Sequence, residues 1–333
     1  MNQAVGLIIL ASTLCLAALG GSACAPPPEP AAQSSPAAAA PELEIAATIT
    51  FTEGPTVYKD GSVFFTDTYG ERIMKLSPDG EVSVFRHPSN SANGLIFDAQ
   101  WRLIACEGSG AENKPRLTRT NIETGDIEVI AESFEGKRLN QPNDVTFDSQ
   151  SRLYFSDRPR KNPAPDQSDI DAVYRIDTDG SIHQILKAPD IDKPNGLVIS
   201  PDDKTFYLIE AHPDENRARM IRAYDLQPDG SVTNMRVFHN FYPGRSGDGM
   251  TIDSQGNLYV AAGLNRLRGT SETLDTKCGI HVFAPDGALK QFIPIYEDTL
   301  TNVAFGGPDL KTLYAVAGKT LFKFRTEIEG TRR

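Results

Sequence analysis

The chain has 333 residues, with 44 acidic against 33 basic side chains and a net charge of −11. That excess of negative charge argues against a nucleic-acid backbone as partner, since a polyanion is held by surplus Lys and Arg. Of the four cysteines, Cys106 and Cys278 fall in different parts of the globular region, so neither a disulfide nor a thiol metal site is expected.

Residues 1–24 read as a signal peptide. The apolar run 4–19 has the length of a signal core and is short for a membrane span. Gly20-Gly21-Ser22-Ala23-Cys24 resembles a bacterial lipoprotein cleavage site with Cys24 as the lipidated residue. Gly21 stands where an aliphatic residue is usual and no basic residue precedes the run, so an ordinary cut near Ala23 or Ala25 is the alternative. Residues 25–41 are rich in Pro, Ala and Ser and read as a disordered linker. The expected location is the periplasm, free or lipid-anchored through Cys24. The remaining segment, 42–333, is long enough for one full core.

That segment repeats itself. Six starts occur at Glu53-Gly54-Pro55, Asn93-Gly94-Leu95, Asn143-Asp144-Val145, Asn195-Gly196-Leu197, Asp248-Gly249-Met250 and Asn302-Val303-Ala304. Each leads to a second short apolar strand, at 63–66, 103–106, 153–156, 205–209, 258–261 and 313–316. Third strands follow, for example at 72–76, 221–226 and 280–283, and end in Pro78-Asp79-Gly80, Pro228-Asp229-Gly230 and Pro285-Asp286-Gly287. These are hairpin turns, because glycine accepts the positive φ they need. Four strands at a period of about 40–50 residues, without long helical periodicity, predict an all-β, six-bladed β-propeller with four antiparallel strands per blade. The last repeat runs out of chain, so a strand within residues 43–51 is expected to supply its missing outer strand and close the ring.

In a propeller the first strand of each blade lies nearest the axis. Glu53, Asn93, Asn143, Asn195, Asp248 and Asn302 therefore surround one mouth of the channel. All six carry side-chain oxygens, which are costly to bury unpaired. A hard divalent cation would satisfy them, and calcium accepts 6–8 oxygen ligands, amide or carboxylate. Each residue alone could instead cap its own loop. The connections 107–112, 158–171, 211–219 and 263–278 are expected to wall a pocket above the ion. Arg138, Asn140, Gln141, His212 and Arg245 lie near that rim as candidates to bind a hydroxylated substrate.

The residues now on the page resemble the gluconolactonase/regucalcin (senescence-marker protein) family, with bacterial gluconolactonases nearest. The resemblance is carried by Ala92-Asn93-Gly94-Leu95 with Arg102-Leu103-Ile104-Ala105-Cys106-Glu107, and by Glu135-Gly136-Lys137-Arg138-Leu139-Asn140 leading into Pro142-Asn143-Asp144-Val145. Lys193-Pro194-Asn195-Gly196-Leu197, Asp248-Gly249-Met250 and Thr301-Asn302-Val303-Ala304-Phe305-Gly306-Gly307 carry it further. It implies one divalent ion, usually Ca2+ with Zn2+ or Mg2+ in relatives, held at the positions of Glu53, Asn143, Asn195 and Asp248. Asn93 and Asn302 would then stand in the pocket or behind the ligands. Gln141 occupies the place of an arginine in regucalcin-like members, and Gly108 that of a histidine in many bacterial ones.

The expected activity is metal-dependent opening of a sugar lactone such as gluconolactone. The ion would polarise the carbonyl, and Asp248 would be both ligand and general base. Another lactone, an ester or a phosphotriester is the alternative substrate. A calcium-stabilised propeller that binds without chemistry is the alternative class.

Overall fold

Each repeat folds as one antiparallel four-stranded sheet. Blade 1 comprises Thr52–Val57, Val63–Asp67, Arg72–Leu76 and Val82–Arg86; blade 2, Ala92–Phe97, Leu103–Glu107, Arg116–Thr120 and Ile127–Ala131. Blade 3 comprises Pro142–Phe147, Leu153–Asp157, Ala172–Ile176 and Ile182–Lys187; blade 4, Pro194–Ile199, Thr205–Ala211, Arg219–Leu226 and Val232–Asn240. Blade 5 comprises Gly247–Ile252, Leu258–Ala262, Gly279–Phe283 and Leu289–Pro294; blade 6 begins with Leu300–Gly306, Thr312–Ala317 and Thr320–Arg325. The first strands of successive blades touch in a closed cycle, and the fold is a six-bladed β-propeller. The computed structural model of the protein describes residues 42–108, 110 and 114–332, within a unit spanning Ala40–Arg333. The predicted signal peptide, Cys24 and the linker lie outside the described residues.

Burial follows strand position. The second strands are buried on both faces, as in Val63–Asp67 and Leu153–Asp157, because each blade packs against a neighbour on either side. The outer strands, such as Val82–Arg86, are mostly exposed. Among the described residues, the buried apolar side chains form six clusters, one at each interface between adjacent blades. Cys106 and Cys278 are buried and free, in clusters at different interfaces. The predicted Asp-Gly turns sit between third and fourth strands, with Gly80 at φ +92° and Gly230 at φ +81°.

The fourth strand of blade 6 comes from the other end of the chain. Glu44–Thr48 pairs antiparallel with Thr320–Arg325, in a register that sets Ile45 opposite Phe322 and Thr48 opposite Thr320. Ala47 enters the apolar cluster shared by blades 6 and 1, and Lys323 Nζ reaches Glu44 at 3.2 Å. The ladder continues past the strand, with Ile49 N donating to Lys319 O at 2.6 Å. A protein beginning at residue 50 should therefore lose about 3–5 kcal/mol, at about 1 kcal/mol per ladder hydrogen bond. A thermal melt should show that loss as a fall in Tm of roughly 6–15 °C. The bared edge of Thr320–Arg325 should also promote association, visible in light scattering.

Candidate active site

The polar ring is built by a defect repeated in every blade. Where the first strand pairs with the second, one extra residue is inserted at the start. In blade 3, for example, Pro142 pairs with Asp157 and Val145 with Phe155, so Asn143 and Asp144 share the space opposite Ser156. A bulge of this kind bends the strand and re-aims its side chains. Here it sits at the axial end of all six inner strands.

The bulges also bring the inner strands into unusually close contact. A Cβ placed on Gly54, whose φ is +42°, would lie 2.1 Å from Asn93 O in the next blade. One placed on Gly249 would lie 2.2 Å from the side chain of Asn302. Gly94 meets Asn143 and Asp144 in the same way, and Gly196 meets Asp248. Only glycine fits such an approach. Blades 3 and 6 carry Asp144 and Val303 in place of that glycine. These two blades face each other across the axis, and Asn302 Nδ2 spans it to donate to Asp144 Oδ2 at 3.1 Å.

Three carboxylates therefore meet near the axis: Glu53, Asp144 and Asp248. Glu53 is buried and no hydrogen-bond donor reaches its carboxylate among the described residues. Burial first, then the negative charges of Asp248 and Asp144, pushes its pKa well up. Asp144 is pushed up to about 7, chiefly by burial, although Val145 N and Asn302 stabilise its charge. Asp248 Oδ1 accepts from Asn195 Nδ2 at 2.6 Å, and its Oδ2 accepts from Arg245 Nη2. Arg245 is buried and also donates to Leu300 O at 3.0 Å, tying blade 5 to blade 6. Arg158, half-exposed beyond the end of Leu153–Asp157, lies close enough to favour the charged forms of Glu53 and Asp144.

A second layer fixes the segments that enter the ring. Asp157, fully buried and with its pKa pushed up to about 7 by that burial, accepts from Asn140 N at 2.9 Å and Gln141 N at 2.6 Å. Glu210 occupies the equivalent place in blade 4, accepting from Asp192 N at 2.6 Å and pairing with Arg222. Each acid pins the approach to an asparagine of the ring. On the rim, fully buried Arg219 donates to His212 O, Pro213 O, Asp214 O and Pro243 O, and to Ser271 Oγ. It thereby joins the connections leaving blades 4 and 5.

The other predicted residues are placed as follows. Asn143 and Asn195 are buried in the ring, and Asn93 is half-buried there. Asn140 is buried behind the ring and donates to Ile170 O at 3.0 Å. Gln141 lies beside Gly108, where an added Cβ would come within 2.9 Å of its side chain. Arg138 sits on a short hairpin strand, Lys137–Arg138, and pairs with Asp166 at 2.7 Å. Asp144, Arg158 and the Arg245–Asp248 pair add to the set expected from sequence. Below the ring an axial cavity of about 440 Å³ has Asp144 and Asn302 among its lining, with Thr56, Ile96, Thr146 and Thr251 along it. Trp101 and Arg332, stacked at 5.0 Å, also line this cavity.

Residues 51–319 match the family described as the SMP-30/gluconolactonase/LRE-like region. The chain belongs to this family. It is 29% identical to a gluconolactonase of Zymomonas mobilis over 86% of this chain and 81% of that protein. It is also 29% identical to a pentonolactonase of Haloferax volcanii, covering 79% of each chain. Among solved structures, a gluconolactonase of Xanthomonas campestris superposes with a TM-score of 0.72 at 28% identity, over 86% of this chain and 89% of that one.

The donor set suits a hard divalent cation. Glu53 and Asp248 offer carboxylate oxygens, Asn143 and Asn195 offer amide oxygens, and neither thiol nor imidazole is among them. No three acid, His or Cys side chains among the described residues lie close enough to hold an ion alone, so the amides would be needed. Charge points the same way: of three buried carboxylates Arg245 pairs with one and Arg158 acts on the other two only from a distance, so the site carries net negative charge when all are ionised. Without an ion, protonation substitutes for it. A carboxyl whose pKa is raised by folding stabilises the fold below its unfolded pKa, and that contribution is lost as pH rises through the folded value. For Asp144 the window runs from about 4 to about 7. In chelator, Tm should fall between pH 5 and 8, and added calcium should raise Tm more at pH 8 than at pH 5. A calcium effect equal at both pH values would contradict an ion that replaces protons on these carboxylates.

Proposed function

We propose that the protein is a metal-dependent hydrolase that opens a sugar lactone, gluconolactone or a close relative. The observation that carries this reading is a buried carboxylate without a donor, Glu53, facing Asp144 and Asp248 in a ring whose other members are amides. Family membership and the lactonases among its relatives point the same way.

Glu53, Asn143, Asn195 and Asp248 would hold the ion, calcium in the first instance. Bound there, it would act as a Lewis acid on the lactone carbonyl and stabilise the oxyanion that forms. The chain's own groups do the rest. Asp248, oriented by Arg245 and Asn195, takes the proton from the attacking water. Asp144, buried beside the ligands and hydrogen-bonded to Asn302, would add a negative charge facing the bound ion. Asn93 and Gln141 would meet substrate hydroxyls. Asn140, Asn302 and Arg138 act through what they hold: the strand approach, Asp144 and the Asp166 loop respectively.

A pH-stat assay on glucono-1,5-lactone tests this directly. Wild-type protein should turn the lactone over with calcium and lose activity in chelator. Asp248→Asn should lower kcat by about 10²–10⁴-fold, the range for removing a general base. Full activity in that variant, with a normal melt, would remove Asp248 from the chemistry.

We also propose that the enzyme works outside the cytoplasm, exported by residues 1–24 and, in one form, tethered through Cys24. Cys24→Ala should release it from the membrane fraction into the soluble periplasmic extract. The same fractionation of wild-type and variant would show a freely exported enzyme instead.

A further inference from the structure

Two cations on the rim stand beside adjacent ring positions without a partner. Arg158 follows Asp157 at the end of the second strand of blade 3, where Asp157 pairs with Pro142, next to Asn143. Lys193 immediately precedes Pro194 and Asn195, at the start of blade 4. Both are half-buried, and neither the guanidinium nor the ammonium has a hydrogen bond or ion pair among the described residues. Other arginines of similar or deeper burial are paired: Arg86 with Glu107, Arg152 with Asp148, Arg222 with Glu210 and Arg245 with Asp248.

The two are close enough to act on each other as like charges. Asp214, Asp171 and Glu272 act on Lys193 from a distance, and Arg158 acts in the same way on Glu53, Asp144 and Asp171, but none of these acids forms an ion pair with either cation. Instead Asp171 Oδ2 accepts the Lys193 backbone N–H at 2.9 Å, and Lys193 O accepts from Ala211 N at 3.1 Å. These bonds hold Lys193 at φ +49°, the left-handed conformation that Ser91 and Thr299 also take just before the inner strands of blades 2 and 6. The backbone is thus fixed at the entry to the blade while the side chain's end has no contacting anion among the described residues. The nearby acids compensate these two charges only from a distance, and an anion in contact with both would be held more strongly.

The geometry points to Arg158 and Lys193 as an oxyanion subsite at the rim of the ring, so that the substrate is a lactone bearing a second, negatively charged group, carboxylate or phosphate, away from its reacting carbonyl. This deepens the lactonase reading and rests on it for the reaction, but not for the binding. A guanidinium beside an ammonium is a recurrent receptor for such groups.

Two measurements test it with the calcium-loaded protein. Titration calorimetry should show 6-phosphogluconate binding at least about tenfold more tightly than gluconate, a difference abolished in the Arg158→Gln, Lys193→Gln double variant and kept in Arg158→Lys. Equal binding of the two acids by wild-type protein would overturn the subsite, whether or not any lactone is turned over. In kinetics, the ratio of kcat/KM for the 6-phosphate or 6-carboxylate lactone over glucono-1,5-lactone should exceed about ten and collapse in the double variant, through KM. Turnover of the neutral lactone with a ratio near one would sink the subsite and leave the hydrolase. Tighter binding of the charged acid with no lactone opened would keep the subsite and sink the hydrolase. A double variant that fails to fold is separated by the conservative Arg158→Lys, whose charge should preserve the preference.

Discussion

Backbone packed against backbone at the axis is the constraint from which the rest follows. The inner strands of blades 1 and 2, and of blades 4 and 5, approach at distances that no Cβ would permit. The bulge that allows this approach turns the preceding side chain into the ring. Tight packing and a convergent set of oxygens are therefore consequences of one deformation, and a larger residue at Gly54 or Gly196 would disturb both. The two blades that lack the glycine use the freed position differently. Val303 extends the apolar cluster between blades 5 and 6, while Asp144 places a third carboxylate at the centre.

Electrostatics then limits what the ring can be. Burial alone pushes Glu53 and Asp144 toward their neutral forms, and their mutual repulsion with Asp248 adds to that. One guanidinium, Arg245, is already committed to Asp248 and to Leu300 O. Arg158 acts on Glu53 and Asp144 only from a distance, so a deficit of positive charge remains. Protons can fill it at low pH, and a divalent ion can fill it at neutral pH. A purely structural polar plug would be expected to satisfy each group with a hydrogen bond, as Asp157 and Glu210 are satisfied nearby. Glu53 departs from that pattern.

Much of this was legible in the chain. The period of the repeats set the number of blades, the Asp-Gly turns set the outer hairpins, and the surplus strand near residue 45 found its place on blade 6. The six ring positions could be aligned because each begins the same short apolar strand. What escaped the reading was non-local or depended on an exception. Asp144 was visible as the place where a repeat has an acid and most others a glycine, but its burial against Asn302 depends on two opposed blades meeting across the axis. Arg245 pairs with Asp248 across a bulge, a geometry that sequence spacing does not reveal. Asn140 and Arg138 lie near the ring in sequence, yet one turns inward to Ile170 and the other outward to Asp166.

Ring closure and the ion site are coupled through blade 1. Glu53 lies just after the closing strand, and the residue before it is held by the far end of the chain: Thr52 N donates to Gly318 O at 2.8 Å, and Thr301 Oγ1 to Thr52 O at 3.0 Å. The position of Glu53 thus depends on the seam between blades 6 and 1. On the proposed reading an ion would be gripped from blades 1, 3, 4 and 5 together, so it would resist any opening that moved blade 1 away from the axis. Linkage makes this reciprocal: whatever the ion adds to the stability of the seam, an intact seam adds to affinity for the ion. The N-terminal strand, far from the chemistry and exposed at Ile45, is on this account part of the apparatus that sets metal affinity.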